Sequence, residues 1–306
     1  MNWTDDRPLT HPKARVYVRR LVDCLKDNNF YIKRNRRIVF VCGARVNAAA
    51  PCYRDNFLAW AKGNIGNEAR LLLAENAYGA ATAHGSRFIN IGDFEQLLAE
   101  IADCVLIFPE SAGSFSEVGI FATKEPIRNK TLIARDTKYD VEDSFLLLGP
   151  FHTIGTHSLF HPGASFDSTT GPDPQLNGRI WGLICRRTNG FDAQKRPELK
   201  SFAEMNFSDR IAIISWVLEI TARAKFADLL EIVRSVYGRN DQDVSVLKQT
   251  LNMLIALEMA KSPASELFCS ATQEVDFQIV TKINLNKLRA SFREFWNREF
   301  PAIWNY

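Results

Sequence analysis

Apolar residues along the chain alternate between short continuous runs and stretches in which they recur at helical spacing. The runs at 37–44, 104–108 and 130–135 have the length of strands and end at small or polar residues, which predicts buried β-strands. Helical spacing predicts helices over 12–27, 54–74, 93–101 and 117–124. Strands separated by helices indicate an α/β structure with a parallel sheet covered on both faces.

The second half of the chain has a different pattern. Residues 136–200 are irregular, with a possible last strand at 180–185. Helical spacing then returns over 208–218, 226–236, 244–257 and 284–298, and residues 266–283 read as two strands of a wing. Three helices followed by a hairpin predict a winged helix-turn-helix, whose recognition helix carries Lys248 on its outer face. A domain that docks proteins or forms oligomers is the alternative.

We therefore predict a fold of class α/β, in which a Rossmann-like parallel-sheet domain is followed by an α+β winged helix-turn-helix domain. The predicted boundaries are a basic N-terminal helical segment at 1–36, the α/β domain at 37–188, a linker at 189–205 and the winged helix-turn-helix domain at 206–306. The 306 residues, 46% of them hydrophobic, suffice to bury a core in each domain.

The distribution of charge along the chain is more informative than the net charge, which is only +3. Residues 1–37 contain ten Lys or Arg against four Asp or Glu. The candidate contacts to a nucleic-acid backbone are Lys13, Arg15, Arg19, Arg20, Lys33, Arg34, Arg36 and Arg37. A solvated helix face with a charged linker explains the same residues.

Other residue types argue against several classes of protein. The six cysteines form no CxxC or Cys/His pattern, so free buried thiols are expected rather than disulfides or a metal site. His152, His157 and His161 are loosely spaced without a carboxylate cluster, which favours packing over metal binding. The chain has no apolar run of membrane-spanning length and no signal-peptide pattern, so a cytoplasmic protein that does not enter a membrane is expected.

Two small-residue loops follow predicted parallel strands, at 43–47 and 111–114. In a doubly wound sheet such loops can face one crevice, where we expect backbone N–H groups to cradle a phosphate and Arg45 or Arg87 to neutralise it. The predicted substrate-binding residues are Gly43, Ala44, Arg45, Asn47, Ser111, Ala112, Gly113 and Ser114.

Ser114 and Glu117 open the helix after the second loop, and their spacing supports two interpretations. In a capping box, Glu117 returns to the N-cap N–H. Alternatively, Glu117 sits in the first helical turn beside a bound ligand, where the helix dipole keeps its carboxylate ionised. Glu110 and Asp93 are candidates for a general acid, although surface positions suit both residues.

Residues 113–119, Gly-Ser-Phe-Ser-Glu-Val-Gly, resemble the G-[ST]-x-x-E-x-G signature of nucleoside 2-deoxyribosyltransferase-like proteins. The loop from Pro109 also resembles the P-G-G-x-G-T-x-x-E loop of Rossmann-like enzymes that process cytokinin precursors, except that Glu110 and Ser111 replace the glycine pair. With the winged helix and the basic N-terminus, the whole chain resembles the ribosyltransferase/DNA-binding effectors encoded beside bacterial retron reverse transcriptases.

The resemblance implies that 37–188 is a nucleoside deoxyribosyltransferase-like domain that cleaves an N-glycosidic bond. Glu117 would be the nucleophile or would stabilise an oxocarbenium ion, and NAD, another nucleotide or a nucleoside would be substrate rather than cofactor. It further implies a toxin of anti-phage defence, held in a higher-order complex with the reverse transcriptase and its RNA-linked single-stranded DNA. The alternatives are a nucleotide-sensing regulator that does not cleave and a DNA-binding regulator with a degenerate enzyme domain.

Overall fold

A computed structural model of the protein describes residues 7–27, 30–44, 52–83, 90–141, 143–198, 200–264, 266–270 and 276–304. In these ranges the strands are β1 (Phe30–Arg34), β2 (Arg37–Cys42), β3 (Ala69–Leu72), β4 (Cys104–Ile107), β5 (Thr131–Asp136), β6 (Ala164–Phe166), β7 (Arg223–Lys225), β8 (Ala260–Ala264), β9 (Leu267–Ser270) and β10 (Phe277–Thr281). The α-helices are α1 (Pro12–Lys26), α2 (Tyr53–Asn64), α3 (Ala74–Ala83), α4 (Ile91–Ile101), α5 (Ala112–Thr123), α6 (Glu125–Arg128), α7 (His152–His157), α8 (Leu176–Arg187), α9 (Phe207–Thr221), α10 (Phe226–Tyr237), α11 (Asp243–Ala256), α12 (Leu285–Glu299) and α13 (Pro301–Trp304).

The chain forms two compact units. One comprises Arg36–Asn76 and Phe88–Asp192, and the other comprises Met1–Asn35, Ala77–Arg87 and Ala193–Tyr306. The first, which we call the sheet unit, is built on a five-stranded sheet. The second, which we call the helical unit, carries α1, α9–α13 and two antiparallel sheets. The fold class predicted above, a Rossmann-like domain with an α+β domain, is confirmed.

The sheet unit contains a fully parallel sheet in the order β3-β2-β4-β5-β6. Val39, Val41 and Leu106 point to one face, where they pack with residues of α2 and α8. Phe40 points to the other face and contacts Phe121 of α5 with their ring centroids 6.4 Å apart. Burial on both faces explains why these strands are apolar without alternation.

Two elements of this unit differ from the sequence-based expectation. The helix predicted over 54–74 ends at Asn64, and β3 follows at the sheet edge, because Gly66 takes a positive φ of 54° that turns the chain. The predicted last strand at 180–185 is wrong, since these residues belong to α8. Leu176, Ile180 and Ile184 recur every fourth residue and are buried against the sheet. The fifth strand is β6 instead, within the stretch expected to be irregular.

In the helical unit, α9 forms the centre and is buried along nearly its whole length. Trp296 of α12 is fully buried, and its Nε1–H donates to the Thr221 carbonyl at 2.7 Å. The predicted pairing of two wing strands within 266–283 is wrong. β9 pairs with β7 and β8, whereas β10 pairs antiparallel with β1, which lies inside the segment 1–36 that was expected to be helical. The winged-helix role of this unit stays a prediction.

Candidate active site at the carboxyl ends of β2 and β4

The two loops that sequence reasoning singled out follow adjacent strands. β2 and β4 pair so that Cys42 lies opposite Ile107, and their carboxyl ends therefore stand at the same edge of the sheet. Counted within this unit the strand order is 2-1-3-4-5, and the order reverses between these two strands. Ligands of open α/β sheets bind at such a switch point. Gly43 and Ala44 lie there, while Arg45, Asn47 and Arg87 fall outside the described residues.

The start of α5 is set by Ser111, not by Ser114 as expected. Ser111 is the N-cap, and its Oγ accepts the Ser114 N–H at 3.2 Å. Ser114 Oγ in turn accepts the backbone N–H groups of Ser111 and Glu110, each at 2.9 Å. The capping box is thus closed by two serines. Ala112, Gly113 and Ser114 form the first helical turn rather than a loop.

Glu117 consequently occupies the second turn of α5 and takes no part in capping, which corrects both sequence-based interpretations of its position. Its side chain is half-buried, and its Oε2 is buried without a hydrogen-bond partner in the described part of the chain. A carboxylate oxygen left in this way is available to a ligand.

The pKa of Glu117 is raised to about 7, mainly by burial and also by the charges of Glu95 and Glu75, while Arg54 and a hydrogen bond with the Cys42 thiol act in the opposite direction. The expectation that the helix dipole keeps this carboxylate ionised is therefore wrong. Glu117 lies a turn away from the free N–H groups, and desolvation with like charges outweighs the dipole. A carboxyl group whose pKa is shifted by burial together with specific neighbouring charges is a candidate functional residue.

Arg54 of α2 is the one buried cation near Glu117 among the described residues, and sequence reasoning did not identify it. Its Nη1 donates to the Gly43 carbonyl at 3.3 Å, and its Nη2 forms a short ion pair with Glu75. The stem of Arg54 crosses Gly43 so closely that a Cβ there would lie 2.8 Å from the Arg54 Cδ. Gly43 is therefore required for this approach.

Three helices contribute carboxyl groups that interact electrostatically, namely Glu75 of α3, Glu95 of α4 and Glu117 of α5. Burial and the charge of Glu75 raise the pKa of Glu95, and burial and the charge of Glu117 raise that of the Cys42 thiol. No signal in the sequence relates these residues, because they are tens of positions apart. In the described ranges no group of three or more His, Cys, Asp or Glu side chains has the geometry of a metal site.

Glu110, considered above as a general acid or a surface group, is half-buried rather than on the surface, and its role as a general acid stays a prediction. Its carboxylate accepts the backbone N–H of Tyr53 at 2.6 Å and that of Arg54 at 3.1 Å, so it caps α2 from the neighbouring loop. Burial raises the pKa of Glu110, and the two N–H donors offset part of this effect.

The predicted nucleic-acid contacts are divided between the two units. In the helical unit Lys13 pairs with Glu299 at 2.7 Å, and Arg34 donates to Ser208 Oγ at 2.8 Å. In the sheet unit Arg37 donates to Thr188 Oγ1 at 2.9 Å and lies over the Phe191 ring. Exposed residues of the predicted set are Lys13, Arg15, Arg19, Arg20 and Lys248, whereas Lys33, Arg34, Arg36 and Arg37 are half-buried.

Replacing Ser114 by alanine tests the two-serine box. We expect Ser114→Ala to lower the free energy of unfolding by about 1–2 kcal/mol, because two backbone N–H groups lose their acceptor. Denaturant unfolding of the full chain measures this loss. Ser116→Ala on the exposed face of the same helix is the matched control, and equal destabilisation by the two variants would rule out the box.

A family model described as "STM3845 retron effector protein" matches residues 50–262. The "Retron Ec73 putative ribosyltransferase/DNA-binding protein" of Escherichia coli is 24% identical over 277 residues, which cover 87% of this chain and 86% of that protein. The "Retron Ec86 putative ribosyltransferase/DNA-binding protein" of Escherichia coli is 40% identical over 60 residues, or 20% of each chain. Of the helices in the described ranges, none combines the length and apolarity needed to cross a bilayer.

Proposed function

This chain belongs to the STM3845 retron effector family, and from its site we propose that it is an enzyme that cleaves the N-glycosidic bond of NAD, another nucleotide or a nucleoside. The observation that carries the proposal is Glu117 at the switch point of the parallel sheet, whose Oε2 is buried without a hydrogen-bond partner among the described residues. The names of the two relatives, which contain the word ribosyltransferase, support the same class of chemistry.

In the proposed reaction the ribose C1′ lies beside Glu117. The bond between C1′ and the base nitrogen breaks, its electron pair leaves with the base, and positive charge develops on the sugar. The Glu117 carboxylate stabilises that charge or bonds to C1′, and water then supplies the hydroxyl group and releases a proton. A nicotinamide leaving group is already cationic in the substrate and needs no acid, which suits a site in which Glu110 is occupied as a helix cap.

The local electrostatics favour a cationic transition state. Glu75, Glu95 and Glu117 place negative charge around one point, and Arg54 compensates only part of it. A positive charge that develops on the sugar is attracted by this cluster more strongly than a neutral ground state is. The carboxylate of Glu117 is disfavoured in the free protein and favoured once the cation forms.

The direct experiment is incubation of the full-length protein with NAD and a panel of nucleosides, followed by chromatography for released base. Release of nicotinamide or of a nucleobase is the expected result. Saturable binding of these compounds without any released base would instead identify a nucleotide-sensing regulator.

For the helical unit we propose contact with nucleic acid and with the other retron components, the reverse transcriptase and its RNA-linked single-stranded DNA. Ser245, Lys248 and Gln249 are exposed along α11, where the predicted recognition helix would present them. In this scheme the enzyme is a toxin, and the complex restrains its activity. Binding that weakens steeply with salt is the expected signature of phosphate contacts.

A further inference from the structure

The helical unit contains a cavity of about 510 Å³ that the proposed cleavage at Glu117 does not involve. It lies where the second half of α9, β10 and the first turn of α12 meet, and its volume is that of a small-molecule site. Trp216, Glu219 and Arg289 line it, together with Asn284 and Asn286.

Two N–H donors of this lining are buried without a partner among the described residues. Trp216 is only 1% exposed, and its indole Nε1–H meets no acceptor. The Arg289 Nε–H is also buried without an acceptor, although the other two nitrogens of that guanidinium group bond to Asn286 Oδ1, at 3.2 Å, and to Glu219. A buried donor without an acceptor is unfavourable, and a ligand that carries acceptor oxygens would satisfy both groups.

Several acceptors of the lining are already engaged. Asn284 Oδ1 accepts the Lys287 N–H at 3.1 Å, and Asn286 Oδ1 accepts from Arg289, so both side-chain amides have N–H groups left to offer. The first turn of α12 adds backbone N–H groups that no carbonyl of the helix can accept, and with them the positive end of the helix dipole. These groups offer a ligand donors rather than acceptors.

The charges at the cavity also suit an anion. Glu219 is the one carboxylate among the described residues that line it, and it is bonded to Arg289. Burial raises the pKa of Glu219, and the charges of Arg289 and Arg293 act in the opposite direction. Two cations therefore act on one carboxylate, and a bound anion would not meet an uncompensated negative charge.

We propose that this cavity of the helical unit binds the phosphate group of a ligand, with the Trp216 and Arg289 N–H groups as donors. A phosphate carries acceptor oxygens in several directions, which matches donors that come from two helices. Ile279 and Ile283 give part of the lining an apolar character, which suits an organic group attached to the phosphate. A phosphorylated small molecule and a nucleic-acid backbone are the two sources of such a group.

The test is a titration of the full-length protein, followed by the NMR resonances of the Trp216 indole N–H and the Arg289 Nε–H. Inorganic phosphate and ribose 5-phosphate should shift both resonances in a saturable way, whereas ribose should not. An oligothymidylate without a terminal phosphate carries backbone phosphates only, so a shift with this titrant alone identifies a nucleic acid as the source. Both resonances belong to the helical unit, and the result is therefore independent of base release at Glu117.

Two variants should change the affinity for phosphate in opposite directions. Trp216→Phe keeps an aromatic ring but removes the donor, and should weaken binding at least about tenfold, as measured at the Arg289 Nε–H. Glu219→Gln removes the carboxylate and should tighten binding about tenfold. Trp304→Phe, on α13 of the same unit and not part of the lining, is the matched control and should bind like wild type.

The wild-type titration does not depend on the folding of either variant. The proposal is overturned if neither resonance moves with phosphate, ribose 5-phosphate or the oligonucleotide, or if folded Trp216→Phe binds phosphate as tightly as wild type. Equal shifts with potassium chloride at the same ionic strength would also overturn it, because they would reflect screening by salt rather than a bound phosphate.

Discussion

Glu117→Gln should reduce the release of base from NAD or a nucleoside by about a thousandfold or more. The amide keeps the size of the side chain but can neither bond to C1′ nor pair with an oxocarbenium ion. Substrate affinity should change little, because the carboxylate acts mainly on charge that develops in the transition state. Chromatography of the released base under single-turnover conditions measures the loss.

Stability data separate this effect from unfolding. Burial disfavours the Glu117 carboxylate in the folded protein, so the neutral amide should unfold at or above the wild-type temperature at pH 8. Glu100→Gln, at an exposed position of α4, is the matched control and should retain wild-type activity. If Glu117→Gln keeps activity within tenfold of wild type, Glu117 is not the catalytic residue.

The rate should depend on pH through the same group. With the pKa of Glu117 raised to about 7, the carboxylate is the minor form below pH 7 and the major form above it. If the carboxylate is the reactive form, kcat/KM should rise about tenfold per pH unit below pH 7 and level off above it. Measurement of kcat/KM from pH 5 to 9 checks the profile. A rate that falls as pH rises would instead mean that protonated Glu117 acts as a general acid.

Glu95 provides a way to move that profile. Its charge raises the pKa of Glu117, so Glu95→Gln should lower this pKa and shift the rising limb to lower pH. Burial remains the larger cause, and the pKa should therefore stay above the ordinary value of a glutamate. Glu100→Gln replaces another glutamate of the same helix and should leave the pH profile unchanged. An unshifted profile in Glu95→Gln would mean that the rising limb reflects the titration of a group other than Glu117.

Local sequence patterns were sufficient to predict the strands and helices that bury a regular apolar face. The continuous apolar runs at β2, β4 and β5 and the amphipathic patterns of α1, α10, α11 and α12 all formed as predicted. Local patterns failed where one run of residues fits both a strand and a helix, and where a strand pairs with a distant part of the chain. Residues 180–185 are apolar enough for a strand, but the four-residue recurrence that begins at Leu176 places them on a helix. The partner of β10 is β1, some 250 residues earlier in the chain, and no turn signal could indicate it.

The sequence by itself determined the small-residue segments that follow β2 and β4, the Rossmann-like fold class and Glu117 as the residue to test, because each follows from local composition and a short motif. Only the tertiary structure decided which serine caps α5, that Glu110 caps α2, and that Arg54, Glu75 and Glu95 surround Glu117. Those contacts depend on the pairing of β2 with β4 and on helices from distant parts of the chain. The pKa of a carboxyl group follows its burial and its neighbours, and both exist only once the chain has folded.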